Sequence, residues 1–553
     1  MFSNYNANSG KKDFPWLSSY ESIDFSILDA AYSGRDLMDI ARIILKSIGR
    51  PMDAYAVTST LESLGWRDID ARDKFNKKDL FELGTDIYSK CIEQPAKTNT
   101  FELNQEREGP FRNFVVHFSQ GAFYILPIIG QILALFFFRF SLWASLDFTE
   151  AQATTVAMGT IFSFVITGGF MQSIGRDTIH YLSMENLLLV KKSYYKQLWT
   201  GTKVVCLLAI SFVLLNFLFP FFTFQMAVVI TIYFVLLSLL WLSLSILYVV
   251  KHYAAILVIT LVGIGPVYFV MHHTHWGIYT AHFTGLFTAI LLSLIYGYEV
   301  LHRKTRGLKS SLKLPKRSIM AYVLSPYFLV GFLYFTFLFI DRIAAWSTFS
   351  RDPSPFLIWF KTPYELGMDW ALVSLLFTVA MLEYILERFS KLLIPKQAQT
   401  FAKNSARFNK AFIHFYKKHL LLFVLTGAFS ILVSYFAISR LQVFSHLEIV
   451  NDFFSSHVTF FVFYFAAAAY FFLAMGLLNC LAFFTLSRPF FAIKAISVSI
   501  VVDVAVGILF SRQFGYEYAV VGLLAGAITF ATITTIYVRK FLSNLDYYYY
   551  SAY

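Results

Sequence analysis

The chain has 553 residues, of which 57% are hydrophobic and 14% are charged, and its formal net charge is +12. Because an ordinary soluble domain is about 25% charged, this composition excludes a typical soluble enzyme and predicts a polytopic membrane protein. Cations placed in loops between apolar segments set orientation and meet anionic headgroups, so the charge does not indicate a nucleic-acid-binding protein.

The first 112 residues form a separate polar region, which we expect to be a small cytosolic helical domain. Apolar residues recur at spacings of three and four in three stretches, at 37–48, 51–64 and 78–92. The opening sequence MFSNYNANSGKKDFPW lacks the apolar core of a secretory signal. No pattern in this region points to catalysis, and the sequence assigns it no chemistry.

Apolar segments of about twenty residues, the length that crosses about 30 Å of hydrocarbon, recur through the rest of the chain. Six lie in residues 113–301 and six in residues 318–540, which predicts an all-α protein with two six-helix lobes. Residues 541–553 form a Tyr-rich C-terminal tail, which suits an interfacial anchor or a disordered end. The predicted segments are 118–140, 152–174, 202–222, 225–250, 253–272, 277–300, 319–344, 364–388, 418–438, 455–484, 491–511 and 517–538.

The connector between the two lobes, residues 302–317 (HRKTRGLKSSLKLPKR), contains seven Lys and Arg residues and no carboxylate. Lys and Arg in short loops resist translocation, so this connector is expected to be cytoplasmic. The loops predicted to lie on the opposite side of the membrane from this connector hold only scattered charge. The pattern predicts a multi-pass protein of the cytoplasmic (plasma) membrane, an inner-membrane protein, with both termini in the cytoplasm.

Ionisable residues inside the apolar segments are the candidates for function, because such groups are expensive in lipid and usually face a cavity. Asp503 lies about twelve residues into the eleventh segment, roughly 18 Å from its cytoplasmic end by helical rise. This depth indicates one of two roles for Asp503: a functional site that is aqueous or paired, or a carboxylate paired with a neighbouring helix for packing.

The seventh and eighth segments carry further charged residues. Asp369, Glu383 and Glu387 share one face of the eighth helix, with Asp369 near the outer mouth and the two glutamates near the cytoplasmic edge. Asp341 and Arg342 end the seventh segment at the level of Asp369. A charge pair between the seventh and eighth helices is therefore expected.

Signatures of other protein classes are missing from the sequence. It has no Walker A loop, GxSxG elbow or HExxH motif, and no potassium-channel filter or Arg-rich voltage helix. The HHTHW run at 272–276 would need a fourth ligand to hold a metal, so interfacial histidines are the simpler interpretation. The three cysteines are too scattered for a disulfide framework. We expect no enzyme activity, no cofactor and no metal.

Two runs that flank the connector are similar to a known family. Residues 167–186 (TGGFMQSIGRDTIHYLSMEN) carry Arg176 after a glycine-bearing helix, and residues 326–334 (PYFLVGFLY) are followed by Asp341, Arg342 and Trp346. Over roughly residues 112–540 the chain resembles the Pel-type exopolysaccharide exporters, a branch of the MATE-like flippase superfamily. The resemblance implies two six-helix lobes, related by pseudo-twofold symmetry, around a central cavity that opens alternately to each side.

The preferred function is therefore export of an exopolysaccharide, or of its lipid-linked precursor, by alternating access. Its expected partners are the glycan substrate, membrane lipids, a cytosolic glycosyltransferase and other membrane components of an export complex. Protonation of Asp503 or Glu383 would supply coupling, since desolvation favours the neutral carboxyl. The alternatives are an ion-coupled multidrug or cation antiporter of the same fold, and a membrane scaffold that recruits a polysaccharide synthase. The candidate transport-pathway residues are Asp341, Arg342, Asp369, Glu383, Asp503 and Arg176.

Overall fold

The structure is a computed structural model that describes residues 36–47, 51, 53–63, 66–93, 110–184, 186–308, 314–348, 356–399, 405–444 and 456–550. Within these ranges the chain is helical, and its β pairing is a single isolated bridge between Phe140 and Ser145. The all-α prediction is confirmed. Residues 1–35 and 94–109 of the N-terminal region, Lys309 and Lys313 of the basic connector, and residues 551–553 of the tail lie outside the described residues.

The N-terminal region contains four helices, α1 (Leu37–Ser47), α2 (Ala54–Ser63), α3 (Asp68–Phe75) and α4 (Leu80–Glu93). The apolar stripes of α1, α2 and α4 meet in one small core, in which Ile40, Val57 and Leu83 are fully buried and which includes Trp66. Three of the four helices follow the predicted amphipathic stretches.

The sequence did not predict α3, because DIDARDKF has no apolar stripe. Two carboxylates in its first turn accept hydrogen bonds. The Arg67 backbone N–H donates to Asp70 at 3.0 Å, and the first residue of α4, Leu80, donates its N–H to Asp68 at 2.9 Å. Carboxylates at the first turn of a helix satisfy otherwise unpaired donors. Tertiary contacts, with Ala71 in the core, therefore form this helix.

Twelve helical segments in the described part of the chain are long and apolar enough to cross a membrane, which confirms the predicted count. We call them spans 1 to 12. Spans 1 to 6 are Pro110–Phe138, Glu150–Ser183, Leu187–Leu218, Phe224–Val249, Tyr253–Val262 with Ile264–His273, and Ile278–Thr305. Spans 7 to 12 are Arg317–Trp346, Thr362–Val373 with Leu375–Gln399, Ser405–Phe444, His457–Thr485, Phe490–Phe514 and Ala519–Ser543.

Several spans extend beyond the apolar segments that predicted them. Span 9 covers 40 residues, whereas the apolar segment within it is about twenty residues long. Hydropathy reports only the part of a helix that suits lipid, and the backbone hydrogen bonds continue past it. Span 8 is interrupted at Ser374, whose carbonyl accepts a hydrogen bond from the Ser430 hydroxyl of span 9.

The chain divides into two compact units. One contains residues 116–384 and 419–539, and the other contains the described residues of 1–115, 385–418 and 540–553. In the second unit a short helix, Leu545–Tyr550, lies in the predicted tail region. Its Asp546 accepts a hydrogen bond from the Asn409 amide at 2.8 Å.

Glycine residues let spans from the two sequence halves approach closely. A methyl group added at Gly331 of span 7 would lie 2.7 Å from the carbonyl carbon of Gly168 in span 2. One added at Gly121 of span 1 would lie 2.7 Å from the Cα of Ala380 in span 8. Small residues at helix crossings in membranes allow such backbone contact. Spans 1 and 2 therefore pack directly against spans 8 and 7.

Candidate transport site

A buried charged cluster joins span 7 to span 8. Asp341 and Arg342, near the C-terminal end of span 7, are 0% and 4% exposed. The Tyr364 hydroxyl of span 8 donates to Asp341 Oδ2 at 2.7 Å, and Arg342 Nε donates to Glu365 Oε2 at 3.0 Å. The interhelical charge pair expected from the sequence is thus present, with Glu365 rather than Asp369 as the acid.

The Arg342 guanidinium is held on several sides. It donates to the Leu338 carbonyl at 3.0 Å and to the Tyr470 hydroxyl of span 10 at 3.4 Å, and it lies 4.9 Å from the centre of the Phe339 ring. The acids are less well satisfied, because Asp341 Oδ1 and Glu365 Oε1 have no hydrogen-bond partner in the described part of the protein. One arginine therefore faces two buried carboxyl groups.

Asp503, in the middle of span 11, is a buried acid without the partners that Asp341 and Glu365 have. It is 0% exposed, and neither of its carboxyl oxygens has a hydrogen-bond partner among the described residues. Glycines surround it: a methyl group added at Gly522 of span 12 would lie 2.5 Å from the Asp503 carbonyl oxygen. Burying an ionised carboxylate without a partner is strongly unfavourable, so such a group tends to take up a proton or a cation.

Asp503 lies next to the charged cluster of span 7. A methyl group added at Gly526 would lie 2.9 Å from Asp503 Cβ and 2.8 Å from Phe337 Cε2. Phe337 and Asp341 are four residues apart, so they share one face of the span 7 helix. Spans 7, 8 and 11 therefore place two buried acids, Asp341 and Asp503, and the largely buried Glu365 in one region with Arg342.

The remaining candidate residues from the sequence occupy other positions. Asp369 is half-buried, one helical turn beyond Glu365, and no hydrogen bond or ion pair of its side chain is found within the described ranges. Glu383 and Arg176 lie toward the opposite end of the bundle from Asp341. The structure thus groups Asp341, Arg342 and Asp503 and separates them from Glu383 and Arg176.

Sequence reasoning missed Tyr364, Glu365 and Tyr470. Glu365 had a detectable signal, because it precedes Asp369 by four residues in TPYELGMD and shares its helix face. The two tyrosines had none, since buried aromatic residues are common in spans and only the neighbouring acid or guanidinium makes their hydroxyls useful.

The two sequence halves make polar contacts at the end of the bundle where span 6 ends and span 7 begins, which we call the basic end. Lys251 Nζ, in the loop after span 4, lies 3.3 Å from Glu383 Oε1 of span 8. Arg176 Nη2 of span 2 donates to the Ser487 hydroxyl, after span 10, at 2.6 Å, and its guanidinium lies 5.2 Å from the Tyr327 ring.

The halves also touch at the opposite end of the bundle. The Trp359 indole N–H, in the segment between spans 7 and 8, donates to Glu150 Oε2 of span 2 at 2.7 Å. The neighbouring Phe360 backbone N–H donates to the Thr154 hydroxyl at 3.0 Å. Spans 1 to 6 and spans 7 to 12 are therefore in contact at both ends through groups that can exchange these bonds for water.

No group of three or more His, Cys, Asp or Glu side chains suited to a metal ion is present among the residues that the structure describes. His272 of the HHTHW run lies 3.0 Å from the Tyr268 carbonyl oxygen and stacks on the Tyr268 ring. His273 stacks on Phe269 with 5.1 Å between the ring centres. These two rings pack along their own helix.

Comparison with known sequences identifies the family. The sequence profile of the PelG exopolysaccharide exporters (EPS-E) matches residues 123–550. The chain belongs to the PelG exopolysaccharide exporter family. The resemblance drawn from the two runs that flank the basic connector is confirmed, and the PelG match covers all twelve spans except the start of span 1. A search of curated protein sequences finds no match.

Solved structures confirm the fold that the PelG match implies. A MOP superfamily transporter from Pyrococcus furiosus is 12% identical with a TM-score of 0.55, and the alignment covers 82% of this chain and 100% of that one. The MATE transporter VcmN of Vibrio cholerae, as a variant, is 14% identical with a TM-score of 0.55, covering 79% and 98%. An outward-facing multidrug resistance MATE transporter is 12% identical with a TM-score of 0.52, covering 81% and 99%. This PelG family member is a membrane transporter with a MATE-like fold.

Proposed function

We propose that the protein exports an exopolysaccharide, or its lipid-linked precursor, from the cytoplasm by alternating access. The observation that carries the proposal is the contact between the two halves at both ends of the bundle, through Lys251–Glu383 and Arg176–Ser487 at the basic end and Trp359–Glu150 at the other. Polar contacts of this kind can separate at one end while they persist at the other. The PelG family supports a glycan as the substrate.

The direction of transport follows from the proposed orientation. The connector 302–317 holds seven cations, so the positive-inside rule favours the cytoplasm for the basic end. An even number of spans then places both termini in the cytoplasm, with the protein in the plasma (inner) membrane. The N-terminal helices α1 to α4 would meet cytosolic partners, of which a glycosyltransferase that synthesises the glycan is the expected one.

Asp503 is the proposed coupling residue. The sequence left Asp503 and Glu383 as alternatives; Glu383 has Lys251 as a counter-ion at 3.3 Å, whereas both oxygens of Asp503 lack a hydrogen-bond partner within the described residues. A carboxylate that lacks compensation in one conformation can drive a transition when it gains or loses a proton or a small cation. Occupation of Asp503 would therefore favour one of the two access states.

The test compares Asp503→Asn with Asp147→Asn in cells that display the glycan on their surface. Asn keeps the shape of Asp but cannot bind a cation by charge, so Asp503→Asn should abolish coupled export. Asp147 is 47% exposed and pairs with Arg139 within the same half, so its variant should export normally. Normal surface glycan in Asp503→Asn would overturn the coupling role of Asp503.

An unpaired buried acid also suits an ion-coupled antiporter of small cations, which is the second candidate function. Vesicles that contain the purified protein separate the two candidates. Uptake of small cationic dyes driven by a proton or sodium gradient, and lost in Asp503→Asn, would favour the antiporter. Dye uptake equal to that of empty vesicles, together with glycan loss in cells, would favour the exporter.

A further inference from the structure

Two loops at the basic end share an unusual backbone conformation. Among the described residues, four that are not glycine have positive φ, and two of these are Lys251 at 58° and Ser487 at 57°. Lys251 follows span 4 and Ser487 follows span 10. Each residue therefore stands at the left-handed position that commonly ends a helix and that usually holds glycine.

The hydrogen bonds of the two caps are the same. In each cap, the backbone N–H of the left-handed residue donates to the carbonyl oxygen three residues earlier at 3.1 Å. The backbone N–H of the next residue donates to the carbonyl oxygen five residues earlier at 2.8 Å. The bonds are Lys251 to Tyr248, His252 to Leu247, Ser487 to Phe484 and Arg488 to Phe483. Two loops with little sequence in common thus adopt one geometry, in positions six spans apart.

Each cap uses its side chain to reach the other half of the protein. Lys251, after span 4, contacts Glu383 of span 8, and Ser487, after span 10, accepts a hydrogen bond from Arg176 of span 2. The first contact joins span 4 to span 8, and the second joins span 10 to span 2. Spans 4 and 10 hold the same position in their halves, as do spans 2 and 8. The two contacts therefore join corresponding spans of the two halves.

We propose that the caps at Lys251 and Ser487 form a paired latch that holds the basic end closed. This inference rests on the proposed alternating access and identifies the groups that control one of its two openings. Glycine would fit the backbone at both positions, but glycine would have no side chain to reach the other half. The side chain at each left-handed position is thus used for contact between the halves.

The latch is suited to reversible opening. The Lys251 and Glu383 side chains are 25% and 22% exposed, so water can replace their contact. Burial, and then the nearby Lys304, lower the pKa of His252, so that Lys251 is the cation of its cap near neutral pH. A partly exposed pair stabilises the closed state only modestly. Because both contacts must break before the basic end opens, their effects on the ratio of closed to open molecules multiply.

Spin labels at the basic end test the latch in the full-length protein in lipid nanodiscs. Labels on His302→Cys of span 6 and Lys494→Cys of span 11 report the separation of the halves, since both positions are exposed. The native cysteines, Cys91, Cys206 and Cys480, are replaced first, and export by that background is verified. Pulsed electron resonance then measures the fraction of molecules with the longer distance.

The variants are Lys251→Met, Ser487→Ala and their combination. Each single change should raise the ratio of open to closed basic ends by about 2- to 5-fold, and the double change by about tenfold, as expected for two modest contacts in parallel. The charge-swapped pair Lys251→Glu with Glu383→Lys should restore the closed distance. A double variant with an unchanged distance distribution would overturn the latch.

Arg139 provides the matched control. It also has positive φ, at 67°, after a span, but its side chain pairs with Asp147 of the same half at 3.0 Å. Arg139→Met should leave the distance at the basic end unchanged. An equal opening in Arg139→Met would show that any disturbed cap loosens the bundle and would overturn a specific latch. Elution as a single species confirms that each variant is folded.

A second label pair separates failure of the latch from failure of alternating access. Labels on His273→Cys and Leu357→Cys lie at the opposite end, where Glu150→Gln weakens the contact with Trp359. If Glu150→Gln opens this end while the basic end stays closed in the double variant, the latch is refuted and alternating access still stands. Fixed distances at both ends in every variant would refute alternating access itself.

Discussion

Asp503 is proposed to couple transport because its burial is unfavourable for stability. It is fully buried in the middle of span 11, with both carboxyl oxygens unpartnered in the described structure. Ionisable groups are expensive within a membrane span and commonly mark a substrate or ion pathway. Its neighbour Asp341 has Tyr364 as a hydrogen-bond donor, so the two acids are not equivalent.

Asp503→Asn should raise the thermal midpoint of the purified protein at neutral pH, because Asp503 must take up a proton or a cation to be buried, a free-energy cost on the order of 1 kcal/mol or more that Asn avoids. Unfolding in detergent, followed by fluorescence, measures the change. Asp147→Asn is the control and should not raise the midpoint. A lower midpoint for Asp503→Asn would mean that Asp503 is a structural residue and would contradict the coupling role.

Arg342 should behave in the opposite way. Arg342→Met leaves Asp341 and Glu365 buried without a cation, which should destabilise the protein by about 3–5 kcal/mol. Adding Glu365→Gln removes one of these charges and should recover a large part of the loss. Unfolding midpoints of the two single variants and the double variant form a cycle, and strictly additive effects would show that Arg342 and Glu365 are not coupled.

At the scale of elements, the contact between spans 2 and 7 is set by glycine. Gly331 faces the backbone of Gly168, and a methyl group there would also lie 2.7 Å from Gln172 Cγ. The neighbouring glycine of span 2, Gly175, has no atom within 4 Å of an added methyl group. Substitutions at Gly331 and Gly175 therefore distinguish the effect of close packing from the general effect of glycine on helix stability.

Gly331→Ala should destabilise the protein by about 1–3 kcal/mol, because overpacking forces the two helices apart. Gly175→Ala should be neutral or stabilising by up to about 1 kcal/mol, since Ala favours the helix and has room. Thermal unfolding of the two variants is the measurement. Equal midpoints for both would show that spans 2 and 7 do not pack through Gly331.

At the scale of the whole molecule, the orientation in the membrane determines which end of the bundle faces the cytoplasm. The basic connector and the two caps with positive φ lie at the same end of the bundle. If this end is cytoplasmic, the proposed latch controls substrate entry, whereas the Trp359–Glu150 contact at the opposite end controls release.

The orientation is testable with single cysteines. A membrane-impermeant maleimide should label Gly277→Cys, between spans 5 and 6, in intact spheroplasts, and should label His302→Cys only after the cells are opened. The positive-inside rule gives this direction. Labelling of His302→Cys from outside, with protection of Gly277→Cys, would reverse the proposed orientation and the direction of export.

The sequence by itself determined the class of the protein and its number of spans. Twelve apolar segments and the runs around Arg176 and Asp341 were sufficient, because crossing hydrocarbon requires long apolar helices. The basic connector adds the orientation that we propose. The sequence also placed Asp341, Arg342 and Asp503 within spans. These signals are local along the chain, and composition and periodicity report local properties reliably.

Only the tertiary structure decided which of these residues meet. It paired Arg342 with Glu365 rather than Asp369, gave Glu383 the counter-ion Lys251 and left Asp503 without a partner in the described region. It also formed α3 from a stretch without an apolar stripe. Contacts between residues of different spans depend on how helices cross, and crossing is set by glycines and side-chain shapes that act together. A single sequence does not specify which pairs these will be.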